Sequence, residues 1–260
     1  MSDDRGYVPP GYLEATARLV GPIKRRSYEL MAIGPGARVA DVGCGIGIDL
    51  LQLAQVVGAD GEVVGIDADP AMLAAAQRRQ AAAAPAAAFK LECAQSDALP
   101  CETGAFDACR SERLFQHLEQ PQRTLAEMRR VTRPGGRVVV LDTDWGSMSV
   151  DAADADIERR LACFKAAASL RNGFAARRLP ALFRGQGLQQ VTIEVLPLHS
   201  TSYDVVRYAC NFDDMEQRAL AAGVVTAAEL ARHDAALRAA DAAGDFFGVV
   251  CMVLVAGTVA

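Results

Sequence analysis

The sequence predicts an α/β fold in which a mostly parallel sheet of seven strands is covered by helices on both faces. Five short apolar segments alternate with helix-like segments between residues 38 and 142. Such alternation is typical of a doubly wound sheet, because parallel strands need a crossover connection between them. Two later apolar segments, 191–198 and 246–255, complete the predicted sheet.

Glycines, prolines and the spacing of apolar residues divide the chain into its predicted elements. Apolar residues three or four apart indicate helices, and short runs rich in β-branched residues indicate strands. The predicted strands are Arg38–Val42, Glu62–Asp67, 89–94, 106–110, 137–142, 191–198 and 246–255. The predicted helices are two within 9–32, then Ile48–Val57, 71–84, 122–132, 154–170, one that begins at 177–183, and the long segment 203–241.

These elements predict an organisation around one central sheet. A helical segment of roughly 40 residues between the last two strands is longer than ordinary crossovers, so we interpret it as a lid over a ligand crevice. The predicted divisions are an N-terminal helical arm at 1–35, a core at 36–200 and 244–260 with a helical insertion at about 151–178, and a helical lid at 201–243.

The composition argues against several classes of function. The net charge is −5, and no basic stretch is present, so we expect no nucleic-acid partner. No run of about 18 apolar residues occurs and the N-terminus is polar, so we expect no membrane span and no secretory signal. Seven scattered cysteines without a CxxC pair predict reduced thiols of a cytoplasmic protein and no metal site.

Residues 41–47 read DVGCGIG and form the most informative motif. Three glycines at alternate positions follow an apolar strand, where they permit unusual backbone angles and close approach of a ligand. A second apolar strand ends in Asp67, roughly 20 residues further on, the spacing at which a carboxylate reaches the hydroxyls of a bound ribose. Together they predict a cofactor that contains adenosine.

Five motifs in order resemble the class I S-adenosylmethionine-dependent methyltransferases, in their quinone-methyltransferase-like, small-molecule branch. They are 41–47, then GIDADPAML at 65–73, SDALP at 96–100, FD at 106–107 and RPGG at 133–136. The resemblance covers about 36–145. It implies a Rossmann-like fold with an antiparallel last strand, S-adenosylmethionine as cofactor and S-adenosylhomocysteine as product.

The resemblance also implies which residues bind the cofactor. Asp41 would hold the methionine amino group, the turn with Gly43, Cys44 and Gly45 would approach the methionine part, and Asp67 would bind the ribose. The adenine and sulfonium contacts would come from Ala68, Met72, Asp97, Ala98 and Ser111. Each position has a structural alternative: the glycines could serve packing only, Cys44 could be a small filler, and Asp97 could cap a turn.

Two other functions remain open at this point. A nicotinamide-dependent dehydrogenase also places an acid after its second strand, but its fingerprint needs a sixth-position glycine where this chain has Ile48. A methyltransferase-like protein that binds the cofactor but catalyses a different reaction would show the same motifs.

Methyl transfer from a sulfonium is an in-line displacement that depends mainly on positioning, with a general base where the nucleophile carries a proton. His117, after the fourth strand, is the leading candidate base, although it could also brace its loop. Asp142 and Asp144 share one side of the fifth strand and could bind substrate, act as a base or cap a turn. The candidate substrate-binding residues are Tyr7, Tyr12, Arg113, Trp145, His199, Tyr203 and Phe212.

The nature of the acceptor is only partly constrained by the sequence. The resemblance favours a small molecule from quinone or secondary-metabolite biosynthesis, with an oxygen, nitrogen or carbon nucleophile. A protein or RNA acceptor is disfavoured, because neither a recognition domain nor a basic surface stretch is present. The chain could act as a monomer or a homodimer.

Overall fold

The structure, a computed structural model, describes residues 10–83 and 89–260. Its seven strands form one sheet in the order β3-β2-β1-β4-β5-β7-β6. They are β1 Arg38–Val42, β2 Glu62–Asp67, β3 Phe89–Cys93, β4 Phe106–Glu112, β5 Thr132–Val150, β6 Gln189–Ser200 and β7 Gly248–Thr258. Only β7 runs antiparallel to its neighbours within this sheet, which confirms the predicted fold class.

The helices occupy the predicted positions, with two differences in detail. They are α1 Pro10–Leu19, α2 Gly21–Met31, α3 Ile48–Val57, α4 Pro70–Ala83, α5 Pro121–Val131, α6 Ala155–Phe164, α7 Ala175–Gly185, α8 Tyr203–Ala209, α9 Phe212–Ala221 and α10 Ala227–Ala243. The predicted long helix 203–241 is therefore three helices. The predicted helix 154–170 is α6 followed by a π-helical segment, Lys165–Ser169.

Alternate residues of β5 show how the sheet separates two hydrophobic layers. Val138 and Val140 pack with α5 and α7 on one face, while Val139 and Leu141 pack with α2 and α3 on the other. This alternation follows from the two-residue period of a strand, and burial on both faces explains why the strand is almost uniformly apolar.

A third hydrophobic cluster lies in the helical cap, defined as α6, the π-helical segment and α8–α10. Tyr203, Phe212, Met215 and Leu237 are buried there, against residues of α6 and the distal part of β5. Helices that the sequence assigns to two separate insertions thus share one apolar core beside the carboxyl ends of the parallel strands.

Candidate active site

A cavity of about 500 Å³ lies between the carboxyl ends of the strands and the helical cap. Ligands of open α/β sheets bind at this edge, beside the point where the strand order reverses. Here β1 and β4 are neighbours at that point. The lining comes from α1, the loop after β1, the end of β2 and the segment after β4. It also includes the π-helical segment, the end of β6, the start of β7, α8 and the first turn of α9.

The loop after β1 forms a tight turn that only glycine accommodates easily. Gly43 has a φ of 75° and donates its N–H to the Ile66 carbonyl at 2.8 Å. A Cβ on Gly43 would lie 3.1 Å from a methyl of Leu114. Gly45 also has a positive φ, 52°, and both glycines line the cavity. Their backbone is thus open to a ligand on one side and packed on the other.

Asp67 faces the same cavity with a fixed carboxylate. Its Oδ2 accepts the Gly45 N–H at 2.8 Å and its Oδ1 accepts the Asp69 N–H at 2.9 Å. An ionised carboxylate can accept about four hydrogen bonds, so each oxygen retains capacity for one ribose hydroxyl. The glycine turn and Asp67 together fit the adenosine and methionine parts of S-adenosylmethionine.

The other predicted cofactor residues fall into two groups. Asp41, Cys44 and Met72 line the cavity, whereas Ala68, Asp97, Ala98 and Ser111 are not part of its lining. Burial, reinforced by the carboxylates of Asp41 and Asp67, raises the pKa of the Cys44 thiol well above its usual value, so the thiol stays protonated.

The adenine-side loop and the fourth strand differ from the arrangement that the resemblance implies. Asp97 is exposed, and the Ala98 N–H already donates to the Gln95 carbonyl at 3.1 Å. Ser111 is fully buried, and its hydroxyl has no hydrogen-bond partner among the residues that the structure describes. The roles of Asp97, Ala98 and Ser111 therefore stay predictions without a supporting contact.

A buried network of charges, which the sequence analysis missed, lies at the part of the cavity next to the glycine turn. Arg110 is fully buried on β4 and contacts Asp41 at 3.2 Å and Glu112 at 2.7 Å. Lys24 lies 2.9 Å from both Asp49 and Glu112. A charged residue inside a buried parallel strand is unusual, and that position of Arg110 was the signal available in the sequence.

The network sets the ionisation of its carboxylates. Burial raises the pKa of Asp41 to about 7, an effect that Arg110 opposes. Burial acts in the same direction on Asp49, but Arg110 and Lys24 outweigh it and hold the Asp49 pKa well below its usual value. Because its pKa is close to neutral pH, Asp41 is the carboxylate of this network whose ionisation a neighbouring ligand cation would favour most.

His117 lines the cavity at the end of a single 3-10 turn, Phe115–His117. Its Nε2 lies 3.0 Å from the Gln116 side-chain nitrogen, and Trp145 donates its indole N–H to the Gln116 Oε1 at 2.5 Å. Because the Gln116 amide nitrogen can only donate, His117 Nε2 accepts and its proton lies on Nδ1. The imidazole is therefore oriented by its neighbours.

The surroundings of His117 disfavour its protonated form. Burial, with Arg113, Arg171 and Lys165 nearby, lowers the pKa of His117 to about 4. A general base is most effective when its pKa lies near the working pH. At neutral pH His117 is consequently a neutral side chain and a weak proton acceptor, and its role as a general base stays a prediction.

The structure does not bring Asp142 and Asp144 to the cavity. They share a side of β5 as predicted, but the residue between them, Thr143, lines the cavity, so they point away from it. Asp142 is fully buried and accepts the Gln116 N–H at 3.2 Å. Asp144 pairs with Arg177 of α7 through contacts of 2.9 to 3.1 Å. Both contacts support structural roles.

Four of the predicted substrate residues line the cavity: Tyr12, Arg113, Trp145 and His199. Tyr203 and Phe212 instead lie in the core of the cap, where the Tyr203 hydroxyl donates to Asp234 at 2.8 Å. From α8 the cavity is lined instead by Val205, Val206 and Ala209. Tyr7 lies outside the described residues.

The cavity also contains cap residues that the sequence analysis did not single out. Lys165, Ser169 and Arg171 line it from the π-helical segment and the turn that follows. A lysine in an otherwise apolar helical stretch was the available signal. Within 10–83 and 89–260, no group of three or more His, Cys, Asp or Glu is placed to hold a metal ion. No helix in those ranges has the length and hydropathy of a bilayer span.

Comparisons with known proteins agree with this geometry. A family model described as a methyltransferase domain matches residues 39–136. An uncharacterised protein of transposon TN4556 from Streptomyces fradiae is 34% identical over 94% of this chain and 69% of its own length. A demethylmenaquinone methyltransferase from Symbiobacterium thermophilum is 36% identical over a stretch that covers 42% of this chain and 43% of that enzyme.

A solved structure resembles this one over most of its length. It is a geranyl diphosphate C-methyltransferase from Streptomyces coelicolor with S-adenosyl-L-homocysteine bound. Its TM-score is 0.58 at 18% identity, over 96% of this chain and 82% of that one.

The fold and the cavity define a doubly wound nucleoside-cofactor protein with its site at the switch point of the sheet. The chain belongs to the class I S-adenosylmethionine-dependent methyltransferases, in their small-molecule branch. S-adenosylmethionine is its cofactor.

Proposed function

We propose that this enzyme methylates a hydroxylated aromatic small molecule of the kind found among quinones and secondary metabolites. The observation that carries the proposal is a continuous cavity lined both by the glycine turn with Asp67 and by Trp145 and His199. Aliphatic side chains such as Leu170, Val206 and Val250 also line it, which suits an acceptor with an apolar body. The matched stretch of a demethylmenaquinone methyltransferase supports the same class.

In the proposed reaction, the protein contributes mainly orientation. Asp67 and the backbone of Gly43 and Gly45 would hold the cofactor, which supplies an activated methyl group. Trp145, fixed by its hydrogen bond to Gln116, would form a rigid wall against the acceptor. His117 would contribute shape and polarity more than proton transfer, because its pKa is about 4. The acceptor hydroxyl would therefore react as its oxyanion, after losing its proton to solvent.

The cap would cover the acceptor, consistent with the predicted lid at 201–243. We also place the enzyme in the cytoplasm, where its seven cysteines, scattered without a CxxC pair, would stay reduced.

Titration calorimetry followed by a turnover assay tests the proposal. We expect S-adenosylhomocysteine to bind and NAD not to bind. With S-adenosylmethionine present, hydroquinones and phenols should release S-adenosylhomocysteine faster than amines or carbon acids do. Cofactor binding without release for any acceptor would instead indicate a different reaction on the same fold, and preferential methylation of amines would refute the aromatic hydroxyl acceptor.

A further inference from the structure

Lys165 is a buried lysine without a carboxylate partner in the part of the chain that the structure describes. Its residue is 4% exposed and it lines the cavity. The contact recorded for its ammonium is with the face of Trp145, at 4.9 Å from the ring centre. A buried ammonium usually pairs with an anion, since removing it from water is costly.

The acidic residues near Lys165 are engaged elsewhere. Asp214 is the carboxylate whose charge acts on Lys165, and it accepts from Arg218 at 2.8 Å. Glu112, another carboxylate of the cavity lining, is held by Lys24 and Arg110. No protein carboxylate among the described residues therefore lies within ion-pair distance of Lys165.

A second polar group without a partner lies on the same segment. Ser169 is 1% exposed and lines the cavity, and its hydroxyl has no hydrogen-bond partner in the described ranges. Buried polar groups are nearly always satisfied, so an orphan that faces a cavity indicates a ligand atom. Short π-helical segments such as Lys165–Ser169 occur frequently at functional sites.

The cations on the cap side of the cavity favour an anion beside Lys165, although carboxylates outnumber cations over the whole lining. Arg171 also lines the cavity and brings a guanidinium charge to the same side. The sulfonium of the cofactor would add a further positive charge to the same space. An oxyanion beside Lys165 would offset the charges of Arg171 and of the sulfonium. The low-dielectric walls of the cavity strengthen such attraction.

We propose that the methyl acceptor carries an acidic group whose oxyanion pairs with the Lys165 ammonium and accepts a hydrogen bond from the Ser169 hydroxyl. This inference rests on the proposed function and narrows it to aromatic acids or acidic phenols. The competing interpretation is that Lys165 stacks on Trp145 solely to stabilise the cap.

Matched pairs of acids and amides distinguish these interpretations. The probes are cyclohexanecarboxylate with cyclohexanecarboxamide, and 1-adamantanecarboxylate with 1-adamantanecarboxamide. They would be titrated into the full chain saturated with S-adenosylhomocysteine. Trp145 is the chain's single tryptophan, so its fluorescence reports occupancy of this region. We expect the carboxylates to bind roughly tenfold or more tightly than the amides, because charge-assisted hydrogen bonds are the stronger ones.

The variants test whether Lys165 causes the preference. Lys165→Gln should abolish it, Lys165→Arg should retain most of it, and Ser169→Ala should reduce it a few-fold. Lys90→Gln is the matched control, because Lys90 is exposed on β3 and its substitution changes the net charge by the same amount. Cyclohexyl phosphate in a third titration distinguishes a carboxylate site from a phosphate site.

Two results would overturn the inference: equal affinity for acid and amide in both pairs, or a preference that persists in Lys165→Gln. S-adenosylhomocysteine affinity and the thermal midpoint of each variant show whether the fold is intact. If the wild type did not bind S-adenosylhomocysteine, the proposed function itself would be contradicted. If it bound S-adenosylhomocysteine but showed no preference for carboxylates, only the anionic acceptor would be contradicted.

Discussion

The two sides of the cavity are built in different ways. The cavity residues predicted to bind the cofactor, Gly43, Gly45, Asp67 and Met72, come from two consecutive strand–turn–helix units, and the Gly45 N–H donates to the Asp67 carboxylate. The residues proposed to face the acceptor, Trp145, Lys165, Ser169 and His199, come from the distal part of β5, the cap and the end of β6. Local geometry fixes the first group, whereas only packing of the cap against the sheet assembles the second.

The difference also extends to electrostatics. Beneath the cofactor residues, Lys24 and Arg110 are matched by Asp41, Asp49 and Glu112 in a closed network. On the acceptor side, Lys165 and Ser169 have no such partners among the described residues. A satisfied network suits a cofactor that is always the same, and unsatisfied groups suit recognition of a particular substrate.

The largest effect should follow from breaking the network with Arg110→Met. Removing the buried guanidinium takes away the cation that pairs with Asp41, while Glu112 keeps Lys24 and Arg113. The uncompensated Asp41 should lower the free energy of unfolding by about 3 to 5 kcal/mol. Urea denaturation measures this loss. The control is Arg133→Met, since Arg133 forms an exposed pair with Asp107 at 2.7 Å and should cost at most about 1 kcal/mol. Similar losses for both variants would mean that the buried network contributes no more than a surface pair.

Asp67→Ala should weaken S-adenosylhomocysteine binding by about 1 to 3 kcal/mol, through loss of charge-assisted hydrogen bonds to the ribose. Calorimetry at constant ionic strength gives the dissociation constant. Asp60→Ala removes an exposed carboxylate just before β2 and serves as the control. If Asp67→Ala bound S-adenosylhomocysteine as tightly as wild type, the prediction that Asp67 binds the ribose would be wrong.

The depressed pKa of His117 predicts a pH-dependent stability. Its pKa is about 4 in the folded protein against about 6.5 when unfolded. Protonation therefore favours the unfolded chain, and the stabilising contribution is complete above pH 6.5 and decreases as the pH falls towards 4. His117→Asn should abolish up to about 2 kcal/mol of the wild-type loss between pH 7.5 and pH 5. If wild type and His117→Asn lost the same unfolding free energy between pH 7.5 and pH 5, His117 would not be shielded from protonation.

The smallest effect concerns Asp144, for which the sequence allowed a catalytic role. Asp144→Asn should lower stability by about 1 kcal/mol, because its partner Arg177 is nearly half exposed. Turnover should stay within about twofold of wild type, since Asp144 does not line the cavity. Initial rates at saturating S-adenosylmethionine test this, and a hundredfold fall in a stably folded variant would restore Asp144 to the reaction.

A structural feature can be predicted from the sequence when residues close to it in the chain determine it. The strands β1 and β2, the turn at Gly43 and the position of Asp67 are set by neighbouring residues, and the structure has them as expected. The break of 203–241 into three helices depends on turns near Asn211 and Gly223, both of which have a positive φ. Neither turn interrupts the alanine-rich pattern clearly enough to be read from spacing alone.

The sequence by itself determined the order of strands and helices, the glycine turn and the acid at the end of β2, because each depends on backbone preferences and apolar periodicity within a few residues. Only the tertiary structure decided that Arg110 joins Asp41 in a buried network, that Thr143 rather than Asp142 and Asp144 lines the cavity, and that Lys165 lies against Trp145. The physical reason is that the direction and charge environment of a side chain are fixed by elements that pack beside it from distant parts of the chain.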